Sequence, residues 1–373
     1  MPAAQDPRQL AAAPVEAGRV VISVDAMGGD HGPAAVVAGV ALAAAELPGA
    51  RFILHGPEAE LAPLLARQPG LAGRCELRHA AETVTMHDRP SAVMRSGQAT
   101  SMWSAIESVR ATEAPVAVSC GNTGALMAVA MIRLRRLPGV NRPAIACLWP
   151  SQNPSGFNVM LDVGADVRAE ADDLLQYAMM GASYARNALG MARPRVGLLN
   201  VGTEDHKGRP ELKAAAELLA GAAEAGSFDY IGFVEGGDLP SQRVDVIVTD
   251  GFTGNIALKT GEGTAKLVSQ LTRNAFNSGW LARLGGLLSL KALRRLSAHI
   301  DPRRINGGVF LGLNGIVVKS HGSADATGVA AALRLACQLA QSGFRERVAA
   351  RVALASRTGQ DATPDVAGGD QSK

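Results

Sequence analysis

Short apolar runs alternate along this chain with longer segments of helical period. The runs VVISVDA (20–26), RFILHG (51–56), PVAVS (115–119), PAIACLW (143–149), NVMLDVG (158–164), RVGLLNVG (195–202), DYIGFVE (229–235), VDVIVTD (244–250) and NGIVVKS (314–320) predict strands. Their near-continuous hydrophobicity suits strands covered on both faces. Apolar residues at three- and four-residue spacing predict helices over 33–47, 124–137, 170–189, 210–225, 254–276 and 325–355. The alternation points to an α/β fold, a largely parallel sheet layered by helices. No repeat and no Pro- or Ser-rich linker divides the chain, so residues 19–355 are expected to form one domain, with 1–18 and 356–373 as disordered tails.

Most of these strands run into a polar turn. DAMGGDHGP (25–33), SCGNTGA (119–125), DVGAD (162–166), NVGTEDHKG (200–208), DGFTGN (250–255) and KSHGSAD (319–325) all follow apolar runs. In parallel sheets ligands bind beyond the carboxyl ends of the strands. Several of the turns open a helix, whose first N–H groups lack intrahelical partners and favour anions. Any one turn could be punctuation, since Gly, Asn and Asp are ordinary turn formers. Together, and carrying His and Lys, they are expected to converge on an anionic ligand.

Composition narrows the class. The net charge of +3 on 373 residues gives no basis for a nucleic-acid partner. Cys75, Cys120, Cys147 and Cys337 form no CxxC pair, so neither structural zinc nor a disulfide framework is expected, and a reducing cytosol suits the chain. Residues 1–18 have neither the basic start nor the apolar core of a secretory signal. Ala114–Ile132 carries no charge and has the length of a membrane span, but Pro115, Ser119, Gly121, Asn122, Thr123 and Gly124 interrupt it. A strand, a polar turn and a buried helix explain it better.

One segment differs from the rest. From Gly263 to Ile300 there is no Asp or Glu, while Lys266, Arg273, Arg283, Lys291, Arg294 and Arg295 are basic. Among these cations stand Trp280, Leu284, Leu287, Leu288, Leu290, Leu293 and Leu296. Basic and apolar, with no acid before Asp301, the segment 263–304 fits a helix or helical hairpin resting on an anionic membrane surface, or against an acidic partner. The alternative is a core or dimer-interface helix with snorkelling Arg and Lys. Membrane or partner contact is preferred, because Gly285 and Gly286 are expected to interrupt the helix and form a protruding tip.

The chain resembles the bacterial phosphate acyltransferases, which convert acyl-acyl-carrier protein and phosphate to acyl phosphate for phospholipid synthesis. VDAMGGDHGP (24–33), GNTGALMA (121–128), LDVGA (161–165), GLLNVGTEDHKG (197–208), FVEG (233–236), VTDGFTGN (248–255) and LNGIVVKSHGSAD (313–325) carry the resemblance, from about Val20 to Gly343. The sequence departs from the family pattern at Cys120, where Ala is more usual, at Asp166 and Arg209, where Asn is common, and in INGGVFLG (305–312). The resemblance implies a fold like the isocitrate and isopropylmalate dehydrogenases and a homodimer without cofactor or metal. It further implies cytoplasmic placement, peripheral on the inner face of the cell membrane, and a membrane-embedded glycerol-3-phosphate acyltransferase as acceptor of the product.

In that implied reaction phosphate attacks a thioester carbonyl and a thiolate leaves. A thiol of pKa about 8.5 is a tolerable leaving group, so positioning and electrostatic preorganisation must supply most of the catalysis. Lys207 is the first candidate, pairing with phosphate or steadying the oxyanion; a solvated surface Lys is the alternative. Asn255 could donate an N–H to the oxyanion, or be an N-cap. His206 and His321 could hold a phosphate oxygen or supply a proton, or be structural. Asp25, Gly28, Gly29, Asp30 and His31 read as a pocket edge, Asn122, Thr123 and Gly124 as an anion nest or a helix cap, and Asp250 as part of the substrate site. Cys120 has no His nearby in sequence and is not expected to form an acyl-enzyme.

Other classes fit less well. A metal- and NAD-dependent dehydrogenase would need a carboxylate cluster, and Asp245 and Asp250 are too isolated. A phosphotransacetylase using acyl-coenzyme A shares the chemistry, and only the apolar stretch 280–296 favours a long acyl chain. A peripheral membrane scaffold would leave the polar turns unexplained.

Overall fold

The computed structural model describes residues 19–204, 206–300 and 307–351, and only the backbone of 292–300. The two tails and the first residues of INGGVFLG lie outside them, as do the side chains of Leu293, Leu296, Arg294 and Arg295. The elements run β1 Val20–Asp25, α1 Gly32–Glu46, β2 Ala50–Gly56, α2 Glu58–Ala66, β3 Cys75–His79, α3 Pro90–Ser96, α4 Ser101–Arg110, β4 Val116–Ser119, α5 Thr123–Leu134, β5 Ala144–Pro150, β6 Phe157–Leu161 and α6 Ala171–Leu189. They continue with β7 Arg195–Leu199, α7 Pro210–Gly226, β8 Asp229–Val234, β9 Val246–Val248, α8 Gly251–Asn277, α9 Trp280–Ile300, β10 Gly308–Leu311, β11 Ile316–Lys319 and α10 Ala326–Gln341.

All these strands join one sheet in the order β3-β2-β1-β4-β11-β10-β5-β6-β9-β7-β8. Its apolar faces are covered by helices, which accounts for the fully buried runs at β4, β9 and β11. Pairing is parallel from β3 to β11 and again from β6 to β8. It is antiparallel at β11/β10, β10/β5 and β5/β6. The sheet is therefore mostly parallel, as the pattern predicts, but its two parallel blocks run in opposite directions. Their carboxyl ends point to opposite edges of the sheet, so the polar turns cannot all meet at one edge.

Helix starts follow side-chain chemistry. Asn122 accepts from the N–H of Ala125 (3.1 Å), Asp250 from that of Thr253 (2.7 Å) and Asp325 from that of Gly328 (3.0 Å). Each cap lies in the turn that follows a strand, so these turns are strand-to-helix joints in the first place.

The basic apolar segment corrects one expectation. Helix α9 runs unbroken through Gly285 and Gly286, and the chain reverses earlier, at Ser278 and Gly279, between α8 and α9. Gly286 lies against the ring of Phe276, where a Cβ would stand 3.1 Å from it, so the glycine permits close packing of the two helices instead of breaking one. Trp280, Leu284, Leu287, Leu288 and Leu290 are exposed on this hairpin, Leu288 at 82%. Among the described residues no helix is long and apolar enough to cross a membrane.

Candidate active site

The first group of turns lies at the carboxyl ends of β1, β4 and β11. Asp25, Ser119 and Lys319 end these strands side by side in register. The Asp25 carboxylate accepts from Ser101 Oγ (2.7 Å) and Ser119 Oγ (2.6 Å). Burial raises its pKa while those two hydroxyls oppose the shift, so its part is to organise the turn. Gly28 is needed here because a Cβ would fall 2.6 Å from the Gly121 nitrogen. Gly29 has φ +101°, and Asp30 donates its N–H to the Gly322 carbonyl (2.7 Å). The three turns are thus one knitted unit, with Asp30 and His31 exposed at its edge.

Two expected members of this group have other duties. The Asn122 amide donates to the carbonyls of Met86 (3.1 Å) and Asp88 (3.0 Å) while its oxygen caps α5, so its side chain is engaged; Thr123 and Gly124 beside it are exposed. Burial first of all pushes the Cys120 thiol up, consistent with the expectation that it is no nucleophile.

The second group lies at the ends of β6, β7 and β9. Asp162 is fully buried and accepts from the N–H groups of Ile145 (2.8 Å), Ala165 (3.0 Å) and Asp166 (2.7 Å); burial raises its pKa to about 6. Its backbone carbonyl presses on α8 so closely that a Cβ at Gly254 would sit 1.9 Å away. Asn255 packs its Cβ over Gly164, where a Cβ would lie 3.7 Å from it. It stands in the second turn of α8, exposed, and Asp250 is the cap, which removes the N-cap alternative for Asn255. Asp166, whose charge was unexpected, binds Arg142 (2.6 Å) and accepts from the Tyr177 hydroxyl (3.2 Å), so its charge is neutralised within the protein.

Lys207 follows β7. Its ammonium pairs with Glu204 (2.7 Å), its side chain is 42% exposed, and the turn folds tightly enough that a Cβ at Gly202 would meet Lys207 Cδ at 2.4 Å. His206 is exposed and its carbonyl accepts from Lys213 Nζ (2.8 Å). Arg209, next along, donates to Asp250, joining this turn to the start of α8.

Helix α8 links the two groups. It starts against Asp162 and reaches Trp149 at Gly261, where a Cβ would fall 2.5 Å from the indole. Asn255, Lys259 and Glu262 follow at spacings of four and three, which places them on one face. Lys259 Nζ pairs with Glu262 (2.9 Å), and Glu262 lies 3.8 Å from His321 Nε2. Bonding to His321, then to Lys259, holds the Glu262 carboxyl at about 2. His321 also faces Ser323 Oγ (2.8 Å) through Nδ1. The structure therefore brings together Asp25, Gly28, Gly29, Asp30 and His321, and separately Lys207, Asp250 and Asn255, with α8 between them. Sequence reasoning missed Lys259, Glu262, Lys319 and Asp162. Lys319 and Asp162 lie in turns already singled out, and Lys259 was legible as the position one helical turn beyond Asn255.

This architecture is similar to that of solved phosphotransacetylases. EutD phosphotransacetylase from Staphylococcus aureus matches with a TM-score of 0.58 and 16% identity, over 90% of this chain and 98% of its own. A phosphotransacetylase from Streptococcus pyogenes matches with a TM-score of 0.58 and 18% identity, over 90% and 96%. At such identities the likeness is one of fold.

The sequence itself is far nearer to another group. Phosphate acyltransferases of Cereibacter sphaeroides (strain ATCC 17025 / ATH 2.4.3) and Paracoccus denitrificans are 70% identical over 349 and 351 residues, spanning 94% of this chain and 95% of theirs. That of Rhodobacter capsulatus is 66% identical over 354 residues, 95% of this chain and 88% of its own. A family model described as fatty acid synthesis protein matches residues 20–347. The chain belongs to this phosphate acyltransferase family.

Proposed function

We propose that this chain transfers a fatty acyl group from acyl-acyl-carrier protein to inorganic phosphate, giving acyl phosphate for phospholipid synthesis. The observation that carries the reading is the 70% identity to phosphate acyltransferases along nearly the whole chain. The polar turns flanking α8 supply residue types suited to it.

A phosphate oxygen attacks the thioester carbonyl carbon, forming a C–O bond and a tetrahedral oxyanion. Collapse of the oxyanion breaks the C–S bond and releases the carrier thiolate, which water can protonate. No side-chain nucleophile enters. Asn255, exposed on α8, donates its amide N–H to the oxyanion. Lys207 exchanges Glu204 for the reacting group and adds a point charge, with His206 beside it. Asp25, Gly28, Gly29, Asp30, His31 and His321 frame the phosphate side; Asn122, Thr123, Gly124 and Asp250 fix the helix starts around it.

Residues 19–355 act as the catalytic unit, on a fold related to the isocitrate and isopropylmalate dehydrogenases, and the protein works as a homodimer. Trp280, Leu284, Leu287, Leu288 and Leu290, all exposed, contact an anionic membrane surface, and the enzyme works in the cytoplasm at the inner face of the cell membrane. There it hands acyl phosphate to a membrane-embedded glycerol-3-phosphate acyltransferase. Release of free carrier thiol from acyl-acyl-carrier protein, followed with and without phosphate, tests the reading; release that ignores phosphate contradicts it.

A further inference from the structure

Among the described residues, Lys319 is a buried cation. It ends β11, between β4 and β10, and is only 8% exposed. Its ammonium donates to the carbonyls of Cys120 (3.4 Å) and Ser320, and among the described residues no carboxylate pairs with it. Asp25, at the end of β1 on the far side of β4, accepts from Ser101 and Ser119 instead. A buried charge without a contact counterion is costly and persists where function needs it. Burial first, then the charge of Lys259, lowers its pKa to about 8.

Lys259 pairs with Glu262 (2.9 Å), and Glu262 lies 3.8 Å from His321, two residues beyond Lys319, so the two lysines border the same turn from different elements. Lys259 comes from the polar face of α8, where Glu262 holds its ammonium at 2.9 Å and leaves donors unused. Their mutual repulsion would be relieved by a doubly charged anion between them. Asn255 stands one helical turn before Lys259, a rise of about 6 Å. That spacing suits one group bonded at Lys259 and the oxyanion of a neighbouring carbonyl at Asn255.

We infer that Lys319 and Lys259 form a two-cation seat for a phosphate dianion, aligned along α8 with the oxyanion donor Asn255. This rests on the proposed acyl transfer to phosphate and assigns the attacking group to these lysines, leaving Lys207 to the oxyanion. A phosphate group could also arrive as the phosphodiester of the carrier's prosthetic arm. The inference commits to inorganic phosphate, because two cations best match a dianion.

The test combines initial-rate kinetics with line broadening of inorganic phosphate in phosphorus NMR, on the full-length protein and the variants Lys259→Met, Lys259→Arg and Lys319→Met. Expected is a rise of at least tenfold in the phosphate KM for both Met variants. The KM for the acyl donor should stay within twofold, and Lys259→Arg should recover most of the loss. Lys259 is exposed, so its variants keep the test decisive if Lys319→Met does not fold. An unchanged phosphate KM in Lys259→Met overturns the inference. So does a rise confined to the acyl-donor KM, which would give the lysines to the carrier phosphodiester. The NMR arm separates the two layers. Wild-type broadening that Lys259→Met abolishes upholds the seat even if no acyl phosphate forms; acyl phosphate formation with equal broadening in both proteins upholds the reaction and sinks the seat.

Discussion

Arg209 donates to the carboxylate of Asp250, the residue whose other oxygen caps α8 through the Thr253 N–H. Burial works against the Asp250 charge, but that N–H and Arg209 outweigh it and keep the carboxyl below its ordinary value. One ion pair therefore ties the turn bearing Lys207 to the helix bearing Asn255. Arg209 supplies this joint.

Lys207→Ala is expected to lose most phosphate-dependent thiol release while melting at the wild-type temperature. The pair with Glu204 is solvent-exposed, and such pairs add little to stability. A steady-state assay beside a thermal melt checks this; near-normal turnover would remove Lys207 from the mechanism.

Asn255→Ala is expected to lower kcat by about 100- to 1,000-fold, the loss typical of a missing oxyanion donor, with smaller effects on KM. The residue is exposed and its Cβ contact with Gly164 survives the change, so the fold should persist. A loss of kcat below tenfold, measured at saturating phosphate, contradicts the role.

His55 gives a pH-dependent prediction. It is fully buried between Ser23 Oγ (2.9 Å) and Ser104 Oγ (2.8 Å), and burial, then the Arg78 charge, lowers its pKa from 6.5 to about 3. Below pH 6.5 the unfolded chain takes up a proton that the folded one refuses, so this residue's share of stability falls with acidification. Asp162 acts in the opposite sense, because its raised pKa lets the folded state bind a proton between about 6 and the ordinary 3.8. The stability difference between wild type and His55→Gln isolates the histidine. Between pH 6 and 4 it should shift by about 1.4 kcal/mol per pH unit in favour of the variant. Urea unfolding at several pH values measures it, and a constant difference would show that His55 titrates normally.

On the α8–α9 hairpin, Leu288→Glu with Leu290→Glu should abolish flotation with vesicles rich in anionic lipid. Thiol release in solution should be retained. Unchanged flotation, or none in the wild type, would leave the exposed leucines to a protein partner.

Much of the fold was legible because parallel strands buried on both faces leave long apolar runs. The expected strands formed, with ends shifted by a residue or a few, whereas β3 and β10 were missed. CELRH is a half-exposed edge strand whose alternation rests on only two apolar residues, Cys75 and Leu77, and GVFL is a short run with glycine at its start. Helices α2, α3 and α4 are short, and α2 carries Pro63, which obscures its period. The opposed direction of the two parallel blocks could not be read, since it depends on pairing between segments far apart in sequence. For the same reason the turns were legible as chemistry, but their division into two groups was not. Lys319 looked like the polar end of a strand; only the packing of β4 and β10 beside it shows that its charge is enclosed.

The central claim is acyl transfer to phosphate. Its most direct measurement is hydroxylamine trapping after incubation of the protein with acyl-acyl-carrier protein, in the presence and absence of phosphate. The account predicts fatty acyl hydroxamate that forms only with phosphate and in step with the carrier thiol released. Carrier thiol released at the same rate without phosphate, or no trapped acyl product with it, would contradict the account.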